Sequence, residues 1–566
     1  MTNKEIGSVL NQIASLLTLQ GENQFKIRAY NNAARRVDML KEPIESLVNE
    51  DRLQNVSGLG KSMVAHITEM VREGQSGYYQ ELLKEVPQGF QEMLKISGLG
   101  AKKVRLIYDK LGVDTVGELE YACQENRLLS LEGFGLKTQE KVILGIDLIK
   151  RSDGYFLLSQ ALNEINPLVD DLLRHPDVWR VEIAGDVRRR MEVVREIDVV
   201  VGCHDPEKIM PCLHRSGRVS KDQGDNFTIE GQSGIPMHIH CALDENFGVI
   251  QYHWTGNDVH RTDIARIADS KGITITDRHV IHNRAIVPCP DESMIYDLIG
   301  LQFVPAELRE GRGEVDRALR NALPVLPNRE DIRGLIHNHT SYSDGLHTLR
   351  EMVEGARARG FKYIAICDHS RSAGYANGLS IERVAEQHQE IDSLNAEYDD
   401  FRILKGIESD ILPDGSLDYP DEVLSSFDLV VASVHSVFNM SKENMTNRII
   451  RALKNPYTTI LGHPTGRLLL ARDGYPVDLT RLIAEAVNND VAIEVNANPH
   501  RLDLDWRHLD YGLSQGVMYS LGPDAHRIDE LDYIDYGLSM IRKGGVQVEH
   551  LLNFLTAEEL IQKAAK

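Results

Sequence analysis

The feature that most constrains this chain lies in its last third, where short apolar runs each end in a histidine or a carboxylate. After the His337-Asn338-His339 triplet come YIAICDH (363–369), ILKGIESD (403–410), LVVASVH (429–435), TILGHP (459–464) and YSLGPDAH (519–526). Runs of this length read as buried strands. Helical patterns fall between them near 347–360, 381–398, 445–454, 478–489 and 529–543. Such alternation predicts a parallel barrel or doubly wound sheet. In a barrel, the carboxyl ends of successive strands converge on one rim. His337, His339, Asp344, His369, Glu408, His435, His463, Asp524 and His526 are therefore expected to meet. His337 and His339, two apart on a strand, project to the same face, as do Asp524 and His526. One histidine among 21 is ordinarily structural. Six at strand ends with three carboxylates point to a metal cluster, and imidazole with carboxylate suits Zn, Mn or Fe. Asp368 and Glu494 are candidates either to orient a ligand or to serve structure alone, and Cys367 reads as packing.

Length and charge bound the remainder. A chain of 566 residues implies about three to five domains. Its six cysteines form no CxxC pair and read as reduced, half-buried fillers. No apolar stretch approaches the roughly 20 residues of a membrane span, and the polar start predicts a cytoplasmic protein without a leader. The net charge of −22 is uneven: residues 1–150 hold 19 basic and 20 acidic residues, so nearly all the acidity lies beyond them. A neutral module can bind phosphates locally, whereas an acidic body repels them unless metal ions offset its charge.

Residues 1–150 read as all helix, with amphipathic periods in IGSVLNQIASLLTL and FKIRAYNNAARRVDML. Three glycine hairpins punctuate them: Gly58-Leu59-Gly60 followed by Lys61, Gly98-Leu99-Gly100 followed within two residues by Lys102, and Gly133-Phe134-Gly135. This is a helix-hairpin-helix signature, in which backbone N–H groups at a helix start face a phosphate without touching a base. Residues 151–322 are mixed, with strands in WRVEIAG, EIDVVVG and PMHIHCAL and helices in VHRTDIARIADSKG and the segment ending at GEVDRALRNAL. A proline-containing linker, 323–332, precedes the barrel.

The motifs HNHTSYSDG, AICDHS, KGIESDI, ASVHS, LGHPTG, EVNANPHRLDL and GPDAH resemble the polymerase and histidinol phosphatase (PHP) phosphoesterases over about 333–566. That resemblance implies a distorted barrel of seven βα units holding three divalent metals. Carried over by position, His337, His339, Glu408 and Asp524 are ligands of one, Glu408, His435 and His463 of the second, and Asp344, His369 and His526 of the third. Glu408, Asp524 and His526 would be central to catalysis. The first 320 residues resemble the bacterial family X DNA polymerases that carry a PHP domain. FKIRAYNNAARRV with the first hairpin looks like their small domain (1–80), 81–150 like a fingers-like hairpin region, AGDVRRRMEVVREIDVVVG like the nucleotidyltransferase palm (151–245), and GLQFVPAELREGRGEVDRAL like the end of the thumb (246–322).

The palm departs from that family where its chemistry resides. Asp186 replaces the serine that holds the triphosphate, Glu196 stands for the first carboxylate of an Asp-x-Asp pair of which only Asp198 remains, and His238 occupies the third aspartate's place. Mg prefers anionic oxygen ligands. These changes predict a palm that holds Mg or Mn poorly and polymerises weakly or not at all; a rearranged Mn-type site is the other reading. His238 and His240 are expected to lie one packed and one exposed. His66 stands where relatives with lyase activity have a lysine, which excludes Schiff-base chemistry there. The expectation is a metal-dependent 3′-5′ exonuclease of DNA repair, of the base excision kind, acting as a monomer on gapped, nicked or 3′-ended DNA beside other repair enzymes, in the cytoplasm at the nucleoid. An active gap-filling polymerase with proofreading, a DNA-binding scaffold and a small-molecule phosphatase stand as alternatives.

Overall fold

The structure, a computed structural model, describes residues 1–40, 42–96, 98–150, 154–222, 226–231 and 233–565, with backbone alone at 147–150. Ser97 of the second hairpin lies outside these residues. The chain divides into two compact units, Met1–Ile149 and Lys150–Lys566.

The first unit is helical. Its opening helix, Asn3–Gln20, starts at a Thr2–Glu5 capping box and stops at Gly21, whose φ of +74° ends the turn. Ile6, Leu10, Ile13 and Leu17 recur at helical spacing and join one core with Ile27, Tyr30, Ala34 and Val37 of the helix Gln24–Asp38. The three hairpins share one backbone geometry. Gly58, Gly98 and Gly133 have φ of +93°, +91° and +82°, a region that side chains rarely enter. The second glycines serve differently: Gly60 and Gly100 begin the helices Lys61–Glu73 and Ala101–Leu111, and Gly135 precedes Leu136–Lys150. A Cβ added to Gly60, Gly100 or Gly135 would meet no protein atom within 4 Å, so the fold itself does not demand glycine there.

In the second unit a five-stranded palm sheet runs in the order Val178–Ile183, Ile197–Cys203, Pro236–Ala242, Asn226–Glu230, Arg218–Lys221. The second and third strands in that order are parallel and set Asp198 beside His238. The thumb packs its own core around Tyr252, Ile264, Ile295 and Tyr296. Residues 323–332 hold only the short turn Arg329–Asp331 before the barrel.

The barrel has seven parallel strands in sequence order: Gly334–Asn338, Tyr363–Ile366, Arg402–Asp410, Leu429–Ser433, Ile460–Leu461, Ala492–Asn496 and Tyr519–Gly522. Alternate residues go to opposite faces. Ile336, Ala365, Leu404, Val431 and Ile460 pack with Leu552, Ala557 and Leu560 of the C-terminal segment, whereas Leu335, Ile364, Ile403, Val430 and Leu461 pack into the larger core with the helices. The ring closes beyond the last strand, where Asp524 N–H donates to His337 O at 3.1 Å and His339 N–H donates to Ala525 O at 2.9 Å. All six cysteines are free and buried, more deeply than expected, and Cys367 lies in the inner barrel core.

Palm, thumb and barrel are joined by buried contacts. Trp506 Nε1 donates to Glu192 of the palm at 3.1 Å, and Arg507 pairs with the same carboxylate. Lys543, fully buried at its side chain, donates to Arg189 O at 2.8 Å and pairs with Glu310 of the thumb. Met191 and Tyr536 pack against both the palm core and the barrel core.

Candidate metal centre

All nine expected residues reach one rim of the barrel, and three bend the backbone to do so. His337, His463 and Asp524 have φ of +67°, +21° and +53°, conformations unfavourable for side chains other than glycine. Local strain of this kind persists where surrounding structure over-determines it, and it clusters at functional sites. Glu408 is the hub: its Oε1 lies 3.0 Å from His463 Nε2, 3.2 Å from His435 Nε2 and 3.4 Å from His337 Nε2, and its Oε2 lies 2.9 Å from His369 Nδ1. Asp524 Oδ1 stands 3.2 Å from His339 Nε2, and the two oxygens of Asp344 stand 3.4 Å from His526 Nε2 and 3.5 Å from His369 Nε2.

Among the described residues, side chains able to share an ion fall into three groups, all in the barrel: His337, His339, Asp524; His369, Glu408, His435; and His339, Asp344, His369, His526. The division carried over from the resemblance differs, since His339 and His369 each lie between two groups and His463 joins through Glu408.

Further residues orient the rim. Glu494 Oε1 is 2.5 Å from His337 Nδ1, and its other oxygen accepts from His463 N–H at 2.7 Å. A carboxylate there keeps the proton on Nδ1 and turns Nε2 inward. Gly522 makes room for this contact: a Cβ on it would come within 2.2 Å of Glu494 Oε1. Asp410 Oδ1 lies 2.6 Å from His435 Nδ1, and Asn496 Nδ2 donates to Asp524 Oδ2 at 3.1 Å. Sequence reasoning missed Asp410 and Asn496; the signal for Asp410 was its place two residues after Glu408, on the same strand face. Asp368, by contrast, touches no ligand. It accepts from Thr340 N–H at 2.7 Å and from Gln387 at 2.6 Å, and so holds the loop that carries Asp344.

The electrostatics of the rim couple buried carboxylates to histidines. Burial alone would raise the Glu408 carboxyl, yet His435, His337 and His369 hold it well below the usual range; Asp344 and Asp524 are held down likewise by histidines. Despite burial, His435 is pushed up to about 9 by Glu408 and Asp410. His463 is pushed down to about 3 by burial and by Arg501. Three carboxylates thus stay charged in a buried place, balanced by imidazoles of the same rim, of which His337 and His369 are raised well above the ordinary histidine value. His337 Nε2 and both ring nitrogens of His339 are buried without a hydrogen bond. Such atoms are rarely orphaned, and an imidazole–carboxylate set without thiolate fits hard to borderline divalent ions.

Comparison with known proteins agrees with this geometry. Family models match a helix-hairpin-helix domain at 1–76, a SAM-like helix-hairpin-helix tandem at 90–147, a DNA polymerase beta thumb at 250–310 and a PHP domain at 336–498. The "DNA polymerase/3'-5' exonuclease PolX" of Bacillus subtilis (strain 168) is 35% identical over 560 residues, covering 98% of this chain and 97% of that protein. The chain belongs to the PolX family. Its barrel alone also matches a "Probable phosphatase" of Thermoanaerobacter sp. (strain X514), 28% identical over 229 residues covering 38% of this chain and 88% of that protein. Another of Vibrio parahaemolyticus is 27% identical over 234 residues, covering 39% and 88%. The PHP match ends at 498, before Asp524 and His526, which the seam of the barrel brings to the rim.

The PolX palm in this chain is built differently from its metal centre. Asp198 Oδ1 lies 2.8 Å from His240 Nε2, and His240 stacks on Trp254 with ring centroids 3.9 Å apart. Glu196 faces His238 instead, at 3.4 Å. His240 is packed and His238 half-exposed, and the two share one face, because residues two apart on a strand project alike. Among the described residues no palm group of three converges on one point. Asp186 is paired with Arg189, whose other nitrogens bind Glu310 at 3.1 Å and Thr255 O at 2.6 Å. Arg188 pairs with Glu292, which also receives Arg309 at 2.8 Å. Arg188 and Arg189 of the palm motif are thus engaged by protein groups.

Proposed function

We propose that the PHP rim is the working active site of this PolX protein, a metal-dependent 3′-5′ exonuclease on DNA, and that its palm polymerises weakly or not at all. One observation carries this reading: nine ligand side chains converge in the barrel with nitrogens left unbonded, while the palm carboxylates part company and Arg188 and Arg189 are engaged. We assign three divalent ions, of Mn, Zn or Fe, to His337, His339 and Asp524, to Glu408 with His369, His435 and His463, and to Asp344, His526 and the second edges of His339 and His369. Bound there, such ions lower the pKa of a coordinated water and neutralise charge building on a phosphate. The chain's own residues prepare that chemistry. Glu494 and Asp410 set the tautomers of His337 and His435, Asn496 holds one oxygen of Asp524, and Glu408 binds at the centre of the group.

The hairpin residues Gly58, Gly60, Lys61, Gly98, Gly100, Lys102, Gly133 and Gly135 are assigned to the DNA backbone. The open space above the second glycines supports this, since close approach from outside is what remains to require them. The protein is placed in the cytoplasm as a monomer, with domains divided near 80, 150, 245, 322 and 332; no described helix is long and apolar enough to cross a membrane. With Mn, the purified protein is expected to shorten a 5′-labelled strand from its 3′ end, and His339→Ala or Asp524→Ala to abolish this. Undiminished digestion by those variants refutes the assignment. A gap-filling polymerase is the second reading, favoured by the retained Asp198 and by the Bacillus relative's name. Primer extension in an Asp524→Ala background that disappears on Asp198→Ala would establish it.

A further inference from the structure

The loop after the second barrel strand places an aromatic ring at the edge of the metal centre. Tyr375 sits in the short turn Gly374–Ala376, half-buried, with its ring 6.0 Å from His369 and 6.3 Å from His435, edge-on to both at 62° and 67°. It packs into none of the hydrophobic cores. The loop that bears it is held firmly. Ser372 N–H donates to Asp418 at 2.7 Å, and Ser372 Oγ donates to Asp410 at 2.6 Å, the same carboxylate that orients His435. Leu379 N–H returns to His369 O at 2.9 Å, and Gly378 lies so close that a Cβ would come within 1.9 Å of Ser370 O. A half-exposed aromatic ring, rigidly mounted beside two ligands and outside any core, has the properties of a stacking platform.

The charge of the chain favours the same ligand. Residues beyond 150 carry nearly all the net negative charge, so away from the metal centre itself a DNA strand finds little there that attracts its phosphates. The bases are neutral and every one offers a π-face, so stacking on an aromatic side chain tolerates any sequence. We infer that Tyr375 stacks against a nucleobase at the 3′ end of the strand and positions the terminal phosphodiester over the metal centre. This rests on the nuclease reading of that centre.

The test uses the full chain and an oligonucleotide ending in 2-aminopurine behind a phosphorothioate linkage, which reports stacking by fluorescence without turnover. In parallel, kcat/KM is measured with Mn on two cleavable strands, one ending in an ordinary nucleotide and one in an abasic tetrahydrofuran. Tyr375→Ala is expected to remove the fluorescence change and to lower kcat/KM on the base-bearing end by about 5- to 150-fold, the range that follows from losing one base–aromatic stack. The wild-type preference for that end over the abasic one collapses, and Tyr375→Phe and Tyr375→Trp restore it. An equal loss on both ends, or an unchanged preference, overturns the inference, because a ring that merely buttressed the histidines would act without regard to the base. A stacking signal without hydrolysis in the wild type refutes the nuclease reading and leaves the platform standing. Hydrolysis without a Tyr375-dependent signal does the reverse.

Discussion

Removing Asp410 tests whether the geometry beneath the ligands sets metal affinity. Its Oδ1 lies 2.6 Å from His435 Nδ1 while Oδ2 accepts from Ser372. The bond is charge-assisted through the carboxylate: although burial opposes its charge, Asp410 is held below the ordinary carboxylate range by His435 and Ser372. Hydrogen bonds to charged groups contribute about 1.5–3 kcal/mol. At about 1.4 kcal/mol per decade this corresponds to about 10- to 150-fold in affinity, close to the 10- to 100-fold typical of partners behind a metal ligand. Asp410→Ala is therefore expected to weaken Mn binding, read by calorimetry, by about 10- to 100-fold, with hydrolysis recovering as Mn is raised. Asp410→Asn keeps an acceptor and loses less. Ser372→Ala removes only the other bond and separates any effect through the Tyr375 loop. Wild-type Mn affinity in Asp410→Ala would refute the claim that this carboxylate orients His435.

Two further predictions concern the remainder of the molecule. Burial pushes Glu292 up, but Arg309 and Arg188 outweigh it and hold the carboxyl at about 2 against an ordinary 4.5. A depressed folded value gives stability that is full above the ordinary pKa and is lost as pH falls from about 4.5 toward 2. Glu292→Gln should thus cost about 3–5 kcal/mol at pH 7, measured by urea unfolding, and the gap to wild type should narrow by pH 3; a constant gap contradicts the ion-pair account. In the hairpins, Gly60→Ala should leave thermal stability unchanged and weaken DNA binding, because nothing in the protein occupies the space above it. Gly58→Ala, at φ +93°, should cost about 1 kcal/mol of stability; equal melting temperatures for the two variants would contradict the assigned roles.

Much of the metal centre was legible because each ligand ends an apolar run, and a parallel barrel sends every such end to the same rim. The sharing of His339 and His369 between groups was not legible, since it depends on how far each side chain leans once the ring is closed. Asp410 and Asn496 escaped for a related reason: their partners, His435 and Asp524, are about 25 and 28 positions away in sequence. Glu494 and Asp368 looked alike in sequence, yet the first reaches a ligand past Gly522 while the second is consumed by a loop. In the palm, the substitutions at 186, 196 and 238 were visible, but the partner of Asp198 was not. Register sets His238 beside it, and the side chain turns instead to His240, whose ring is held by Trp254.

The contacts through Lys543 and Trp506 give a reason for the palm to persist that has nothing to do with nucleotides. Cut away at residue 333, the barrel would lose the acceptors of Lys543, Glu310 and Arg189 O, and the Glu192 that receives the Trp506 indole, and would uncover both side chains. Selection on the nuclease alone would then preserve the shape of the palm whatever its own reaction, as the other half of a joint.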